Sequence, residues 1–516
     1  MIDINRYAVL GCVCATTFMM VLDITVVAVA IADIQRDLDA GLAALQWVVD
    51  AYVLPLAALL LAAATLGDRF GRRTVFLTGT AVFGTASLAC GLAPAADALI
   101  AARAVQGAGG AMLLGIALAL ITDVFPRQRD RDLAVGVFGA TVAGAIALGP
   151  LLGGALAHLA GWRAVFLVNV PVGAAVLVAG WRRLPRPEAR GRGRVDRVGT
   201  ATLTAALFAL VLGCVRAGGD GWGDPLVLAL LGAAGALLAA FAVAEHRAAD
   251  PLIDPRLFAD GGYGANALVA LVNQGAVVAA ATYLSLYAQQ IRGLGPFRTG
   301  LLLFPFGVAA LLSALSSSTL VARVPTRWAV AGTAAFIAAG LLLMTALDAG
   351  SGWTVVTAGL ALVGVGLGAS STVLNQVAVR GVDARRAGMA GGVIMALRQV
   401  GTAFAVSALG AVYQHTATAR AGRELRGTAA ADRLGTAAEA IAGGRAVDGA
   451  PGMPPAVASA LRHASVAGLD RLFLVAAAVT AAGGLVALLC VRDVRTAPRP
   501  EGPPAEPVTE PVTEPR

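Results

Sequence analysis

The sequence predicts an all-α polytopic membrane protein, and three observations support that prediction. The chain of 516 residues is 58% hydrophobic and 14% charged, whereas an ordinary soluble domain has about 25% charged residues. Its mean hydropathy is +0.77. Apolar runs of about 20 residues recur along the whole chain, and each is long enough to cross the hydrocarbon core of a bilayer. Because backbone groups in lipid must be hydrogen-bonded within their own segment, these runs are predicted to be helices.

Fourteen apolar runs are predicted to be spans, and a basic linker divides them unequally. The predicted spans cover residues 7–30, 45–66, 75–94, 98–121, 133–157, 163–181, 198–216, 225–244, 264–288, 298–321, 328–346, 353–375, 388–412 and 470–491. An N-terminal six-helix bundle (1–181) is followed by the linker and an inserted helix pair (182–260). A C-terminal six-helix bundle (261–491) includes a long outer loop at 413–469. The Pro/Glu-rich tail 492–516 is predicted to be disordered and cytoplasmic.

A weak internal repeat indicates that the two bundles are pseudo-symmetric. The stretch "LGDRFGRR" (66–73) follows span 2, and "LVARVPTR" (320–327) follows span 10, at the same place in each half. Six-helix halves related in this way are a recurrent plan of secondary transporters. The inserted pair, spans 7 and 8, lies between them.

The positive charge of the chain is explained by membrane topology. All 39 basic residues are arginine, and the formal net charge is +8. Arginine is concentrated in the loops that are cytoplasmic when both termini are inside, as the positive-inside rule requires. No nucleic-acid partner is therefore expected. The first span is too long to be a cleavable signal peptide. The expected protein is a multi-pass protein of a bacterial plasma (inner) membrane, in contact with membrane lipids and monomeric.

The sequence has no pattern that indicates an enzyme, a metal site or a cofactor. The four histidines are scattered, and the five cysteines lie in predicted spans without a pair in any outer loop. No nucleophile, histidine and acid lie at a common depth. The phosphate-binding pattern G-x-x-x-x-G-K-[ST] is missing, and there is no lysine to complete it. An ion gradient is therefore the expected energy source.

Several stretches resemble the major facilitator superfamily, and specifically its fourteen-span drug–proton antiporter family. They are "LDITVVAVAI" (22–31), "LGDRFGRR" (66–73), "RAVQGAGGA" (103–111), "GVFGATVAGAIALGPLLGG" (136–154), "GWRAVFLVNVPVG" (161–173) and "DPLIDPRLF" (250–258). Three positions depart from the family pattern: Ala28 stands where Asn is usual, Ala64 replaces a leading Gly, and Ala145 replaces a further Gly. The resemblance covers residues 16–413 and implies the major facilitator fold and drug export.

Two of these stretches are interpreted as conformational elements. In the first, Asp68 is expected to pair with Arg72 or Arg69 and to cap a neighbouring helix end as a gating lock, which also includes Gly71. The alternative is that Arg69, Arg72 and Arg73 are only positive-inside anchors. The second is the antiporter motif of span 5, whose small residues allow close helix approach and whose proline can bend the helix. Its residues are Gly136, Gly149, Pro150, Gly153 and Gly154.

Charges within the spans are the candidates for proton coupling. Asp23, Asp50 and Arg103 are predicted to lie roughly 7–11 Å below the outer surface, and such groups mark ion or proton pathways. Asp23 matches the family's span 1 acid and is the expected proton carrier, with Arg103 tuning a nearby carboxylate. Asp50 is left with three roles: a second proton site, a contact for a cationic substrate, or the partner of Arg103. A static Asp–Arg pair that only fixes the helices is the alternative.

Polar residues of the C-terminal half are candidates for the substrate cavity, and interhelical hydrogen bonding is their alternative role. They are Asn273, Gln274, Asn375, Gln376, Arg398 and Gln399. The function expected from the whole sequence is proton-coupled antiport that exports lipophilic small molecules by alternating access. Export of an endogenous metabolite or lipid is the main alternative. A proton symporter for nutrient uptake and a non-transporting membrane scaffold are less well supported.

Overall fold

The structure is a computed structural model that describes residues 6–40, 42–185, 197–247, 261–320, 324–346, 354–379, 387–425 and 455–491. These residues are almost entirely helical. The α-helices are α1 (Arg6–Leu38), α2 (Leu42–Phe70), α3 (Arg72–Gly91), α4 (Ala96–Val124), α5 (Gln128–Ala160), α6 (Trp162–Leu167), α7 (Asn169–Arg183), α8 (Arg197–Asp220), α9 (Pro225–Arg247), α10 (Gly261–Leu286), α11 (Pro296–Leu320), α12 (Thr326–Met344), α13 (Thr354–Val379), α14 (Ala387–Leu425) and α15 (Pro455–Cys490). A π-helical turn, Tyr287–Ile291, follows α10.

The number of membrane spans agrees with the sequence prediction. Among the described residues, thirteen helices are long and apolar enough to cross a membrane, and the bent helix α5 brings the number to 14. The predicted class, an all-α polytopic membrane protein, is therefore confirmed. Helices α6 and α7 together form the sixth span.

Two spans of the N-terminal half are bent or broken at a proline. The two parts of α5, Leu133–Ile146 and Leu151–Ala160, meet at 49°, next to Pro150. The break between α6 and α7 falls at Val168, three residues before Pro171. Proline has no N–H to donate to the carbonyl four residues earlier and collides with it, so the helix changes direction at such positions.

Helix packing divides the chain into two six-span bundles. Helices α1 to α7 pack mainly on one another, and so do α10 to α15. The bundles meet through α5, which packs on α11 and α13, and through α2 and α4, which pack on α14. Helix α8 contacts both α2 and α14, whereas α9 packs on α8 alone among the main contacts. The inserted pair therefore lies across the α2–α14 side of the interface.

Close backbone contacts at glycine recur at matching places in the two bundles. A Cβ atom at Gly107 of α4 would overlap the Tyr52 carbonyl oxygen of α2, and one at Gly364 of α13 would overlap the Phe306 carbonyl oxygen of α11. Spans 4 and 2 are thus paired in the first bundle as spans 12 and 10 are in the second. Small residues permit such an approach between helices in a membrane, and the repetition supports the predicted pseudo-symmetry.

The two bundles meet at the end of the molecule that holds Gly71, which we call the α2–α3 end. A Cβ atom at Gly391, near the start of α14, would lie 3.2 Å from Leu118 of α4, and one at Gly392 would lie 3.3 Å from Leu61 of α2. A Cβ atom at Gly139 of α5 would lie 3.3 Å from the Thr372 hydroxyl oxygen of α13. The interface is therefore closed at the α2–α3 end.

The C-terminal spans are longer than the sequence analysis predicted. Helix α14 continues to Leu425 and α15 begins at Pro455, so a loop over the whole of 413–469 is wrong. The extension of α14 contains helix-forming Ala and Arg residues. An ion pair between Arg420 and Glu424, four positions apart on the same helix, has a distance of 2.8 Å. Residues 426–454, the stretch 250–258 and the tail 492–516 lie outside the described residues.

We expect that Gly107→Ala destabilises the folded protein, because the added methyl group would collide with backbone and not with a flexible side chain. Overpacking of this kind costs about 1–3 kcal/mol of unfolding free energy. The measurement is the thermal melting temperature of the purified protein in detergent. Gly84→Ala on α3 is the matched control, since a Cβ atom there meets nothing within 4 Å. Equal shifts for the two variants would contradict the prediction.

Candidate functional site

A buried ion pair between Asp23 and Arg103 lies at the centre of the N-terminal bundle. Asp23 is in the middle of α1, and Arg103 is in the second turn of α4. One guanidinium nitrogen of Arg103 donates to Oδ2 of Asp23, and its Nε donates to the Val48 carbonyl oxygen of α2 at 3.0 Å. Each residue is only 1% exposed. The predicted charges thus meet directly, in a closed interior and not at an open cavity.

Amide side chains of α4 and α7 complete the coordination of the Asp23 carboxylate, and a hydroxyl of α3 bridges them. Its Oδ1 accepts hydrogen bonds from Gln106 of α4 and Asn169 of α7, both at 3.0 Å. The same two amides also contact the Ser87 hydroxyl oxygen of α3, at 3.1 and 2.9 Å. The Ser87 hydroxyl donates to the Phe166 carbonyl oxygen at 3.0 Å. We call Asp23, Ser87, Arg103, Gln106 and Asn169 the N-terminal polar network.

Aromatic rings close this network. The guanidinium carbon of Arg103 lies 4.2 Å from the ring centroid of Tyr52 and 5.7 Å from that of Phe166. The Tyr52 hydroxyl donates to the Met20 carbonyl oxygen of α1 at 3.3 Å. Cation–π contacts are attractive and strengthen away from water. The aromatic rings therefore shield the Asp23–Arg103 pair from solvent.

Asp50 is not the partner of Arg103, and helix geometry gives the reason. Residues two positions apart on an α-helix point about 200° apart, so Asp50 lies on the opposite side of α2 from Tyr52, which contacts Arg103. Asp50 is half-buried and makes no hydrogen bond or ion pair with the described part of the chain. Of its three predicted roles, pairing with Arg103 is therefore wrong for this conformation; the other two stay predictions.

Arg72 joins three helices at the α2–α3 end. Its guanidinium contacts Asp68 of α2 at 3.2 Å, and on α4 it contacts Asp123 at 2.8 Å and the Ala119 carbonyl oxygen at 2.9 Å. The predicted pairing of Asp68 with Arg72 is present. The neighbouring helix end is contacted by Arg72 and not, as predicted, capped by Asp68. Asp123 was missed, because the sequence alone does not show that the end of α4 meets the start of α3.

The other residues of the predicted lock have separate contacts. Gly71 adopts a φ of 90°, a conformation that only glycine adopts without strain, and it forms the turn between α2 and α3. Arg69 lies over the ring of Phe70 at 5.1 Å. Arg73 donates to the Trp181 carbonyl oxygen at 2.6 Å, which joins α3 to α7.

The antiporter motif of span 5 lies partly at the interface between bundles and partly inside one bundle. Gly136, Gly149 and Gly153 are buried, and Gly154 is half-buried. A Cβ atom at Gly153 would lie 2.7 Å from Val26 of α1, so this glycine serves packing within the N-terminal bundle. Helix α5 itself packs on α11 and α13 of the other bundle.

A second polar cluster lies in the C-terminal bundle. The Asn273 amide of α10 donates to the Thr333 hydroxyl oxygen of α12 at 3.1 Å and to the Ser370 hydroxyl oxygen of α13 at 3.3 Å. Arg398 of α14 donates to the Ser370 carbonyl oxygen at 3.0 Å. In each bundle, polar groups thus come from the first, third and fourth spans of that bundle. The first span of the N-terminal bundle contributes an acid, Asp23, whereas the first span of the C-terminal bundle contributes a neutral amide, Asn273.

The remaining cavity candidates do not form one site. The Asn375 amide donates to the Ser371 carbonyl oxygen of its own helix at 2.7 Å. Gln376 is 2% exposed, and neither of its amide atoms has a hydrogen-bond partner. Gln274 and Gln399 are half-buried. Arg398 is therefore the one of these candidates that combines burial with a full charge.

A further cluster at the opposite end of the molecule was missed by the sequence analysis. The Asp37 carboxylate, near the end of α1, accepts hydrogen bonds from Trp162 at 3.0 Å and from Arg163. These donors, Arg163 foremost, lower the pKa of Asp37 below its ordinary value. Together with Asp33 they line an open cavity of about 500 Å³. The cluster ties α1 to the start of α6.

Among the described residues, no group of three or more His, Cys, Asp or Glu side chains is placed to hold a metal ion. The chemistry of the site is instead that of a buried acid, a fixed positive charge and neutral hydrogen-bond donors. These groups can hold a negative charge in a closed interior. If the acid takes up a proton, the net charge of the acid and the arginine together changes from zero to positive.

We expect that Arg103→Met strongly destabilises the protein, because removing one partner of a buried pair costs about 3–5 kcal/mol. Adding Asp23→Asn removes the unpaired charge, so the double variant is expected to melt at a higher temperature than Arg103→Met alone. Adding Asp50→Asn instead is not expected to help. The measurement is thermal melting in detergent at neutral pH. Recovery with Asp50→Asn and not with Asp23→Asn would overturn the assigned pairing.

We expect Asp123→Asn to lower the melting temperature more than Asp68→Asn. The side chain of Asp68 is 58% exposed and that of Asp123 is 26% exposed, and exposed ion pairs contribute only about 0–1 kcal/mol. The two variants remove the same charge near the same arginine, so each controls for the other. A larger effect of Asp68→Asn would show that the contact of Arg72 with α4 is unimportant.

Comparison with known proteins identifies the family of this chain. The model of the Major Facilitator Superfamily matches residues 13–406. The tetracenomycin C resistance and export protein of Streptomyces glaucescens is 35% identical over 76% of this chain and 73% of its own length. The puromycin resistance protein of Streptomyces alboniger is 37% identical over 80% of this chain and 82% of its own.

A solved structure shows the same fold. The human organic anion transporter MFSD10 superposes with a TM-score of 0.65 and 15% sequence identity, over 94% of this chain and 99% of that one. At this identity the likeness concerns the fold alone. The match of the family model over most of the chain and the related resistance and export proteins agree with the two-bundle architecture: this chain is a transporter that belongs to the Major Facilitator Superfamily.

Proposed function

We propose that the protein is a proton-coupled antiporter that exports lipophilic small molecules across a bacterial plasma membrane by alternating access. The observation that supports this most directly is the enclosed Asp23–Arg103 pair within the bundle that rocks in such a transporter. Relatives named for resistance and export support the direction of transport. With both termini in the cytoplasm, the α2–α3 end is the cytoplasmic side.

In the described conformation the cytoplasmic side of the interface between the bundles is closed. Contacts of α14 with Leu61 and Leu118, and of α13 with Gly139, close the cytoplasmic side. Arg72 holds α2, α3 and α4 together beneath these contacts. Small shifts become large movements where packed interfaces have two discrete arrangements, so opening requires these contacts to separate together.

Asp23 is proposed to carry the proton. Burial favours the neutral form of a carboxylic acid, whereas Arg103 and the two amide donors favour the ionised form. A movement that separates Arg103 from Asp23 would let the acid bind a proton, and restoring the contact would release it. Loading and release are thereby linked to the relative position of α1 and α4.

Two alternatives are separated by the direction of coupling. A proton symporter would accumulate its substrate on the side that protons enter, whereas an antiporter accumulates it on the side that protons leave. Export of an endogenous metabolite or lipid would use the same machinery and differs only in the molecule carried.

The experiment uses proteoliposomes with an acidic interior and measures uptake of puromycin and tetracenomycin C. Antiport predicts accumulation driven by proton exit, with alkalinisation of the interior when substrate is added. Asp23→Asn is expected to abolish gradient-driven accumulation and the pH change, because an amide cannot carry the proton. Since this variant leaves Arg103 without its partner, its melting curve in detergent is measured first, and transport is compared at a temperature at which both proteins are folded.

Asp97→Asn is the matched control, since Asp97 is an exposed acid in the first turn of α4. It should transport as the unmodified protein does. Accumulation only with an acidic exterior would indicate a symporter. An Asp23→Asn protein that still alkalinises the interior would show that Asp23 is not the carrier.

A further inference from the structure

Arg398 is a buried arginine without an acidic partner. It is 7% exposed, and its hydrogen bond is to the Ser370 carbonyl oxygen. It forms no ion pair with any part of the chain that the structure describes. Arg103, the other deeply buried arginine, has Asp23 and is 1% exposed. Since a guanidinium has five N–H donors, several donors of Arg398 remain for another molecule.

Among the described residues, no carboxylate of the C-terminal bundle forms an ion pair with Arg398. Between residues 261 and 423 the acids of the sequence are Asp348 and Asp383, and both lie outside the described residues. Glu424 is 26 positions beyond Arg398 on α14 and pairs with Arg420. Asp470 of α15 lies two residues after Gly468, which packs against Tyr413, 15 positions beyond Arg398 on α14. An isolated buried charge is costly, so a site of this composition favours an anionic ligand.

Helix geometry directs Arg398 toward the space between the bundles. Seven residues make about two turns of helix, so Arg398 lies on the same side of α14 as Gly391, which faces Leu118 of the N-terminal bundle. Arg398 is eleven residues from the start of α14, about 16 Å along its axis. Substrate sites of transporters built from repeats lie near this depth, at the interface of the halves.

We propose that Arg398 binds an acidic group of the exported molecule, a carboxylate or an ionised phenol, so that the substrates are amphipathic organic acids. The inference rests on the proposed function and specifies its substrate class. A planar guanidinium can donate two parallel N–H···O hydrogen bonds to one carboxylate, a bidentate geometry that a lysine ammonium does not reproduce. The neighbouring Gln399 and Gln274 are half-buried, and they can donate further hydrogen bonds.

The test compares the binding of two matched pairs of probes to the full-length protein in detergent. Each pair consists of an aromatic acid and its amide: naphthalene-1-acetate with naphthalene-1-acetamide, and anthracene-9-carboxylate with anthracene-9-carboxamide. Affinity is measured from the rise of melting temperature with ligand concentration. We expect each acid to bind about tenfold or more tightly than its amide, as a charge-assisted hydrogen bond allows.

Three variants make the interpretation specific. Arg398→Gln is expected to abolish the preference for the acid, and Arg398→Lys to retain part of it. Arg298→Gln removes the same charge from an exposed position at the start of α11 and should leave the preference unchanged. A folded Arg398→Gln protein that still prefers the acids would overturn the proposal, and so would an unmodified protein that shows no preference or binds neither member of either pair.

This binding assay requires neither transport nor a pH gradient. When the uptake assay is repeated with the acidic probes, acid preference without their gradient-driven uptake would contradict the proposed antiport and leave the assignment of Arg398 intact. Efficient antiport of puromycin together with equal binding of acids and amides would contradict only the substrate class.

Discussion

The Asp23–Arg103 contact is the interaction around which the N-terminal bundle is organised. It joins the first and fourth spans directly, and its hydrogen-bond partners bring in the second, third and sixth. A charge pair in a closed interior is stable only when its remaining donors and acceptors are satisfied. The positions of Ser87, Gln106 and Asn169 follow from that constraint, and the bundle can rearrange only by exchanging these bonds together.

The two bundles share a frame but differ in chemistry. Glycine contacts pair the same spans in each half, and polar groups arise from corresponding spans. The N-terminal half contains a balanced pair, whereas the C-terminal half contains an unbalanced arginine beside neutral amides. Under the proposed antiport, this asymmetry would place proton handling in one half and ligand recognition in the other, and the interface between the bundles would couple the two processes.

Much of the fold was predictable, because span length and apolar composition are imposed by the bilayer itself. The contact of Asp68 with Arg72 was also predictable, since four residues separate them across a glycine turn. The partner of Arg103 was not predictable. Whether Asp23 or Asp50 faces Arg103 depends on how α1, α2 and α4 are rotated about their own axes, and the hydropathy of the sequence does not determine these rotations. Gln106 and Asn169 had a detectable signal, because each is a polar residue of an apolar run and lies within one of the family-like stretches, 103–111 and 161–173. Asp123 had none, since its contact depends on how two helix ends meet.

Helix α8 lies along both α2 and α14, and Ser407 of α14 donates to the Cys214 carbonyl oxygen of α8. The seam between the bundles on this side is therefore shielded from the surrounding lipid, whereas the pseudo-symmetric seam at α5 and α11 has no inserted helix beside it in the described part of the chain. Lipophilic molecules partition into the bilayer before they meet a transporter. For a lipophilic substrate of the proposed transporter, the inserted pair would cover one of the two seams through which a molecule in the bilayer could reach the interface, and would leave the other uncovered.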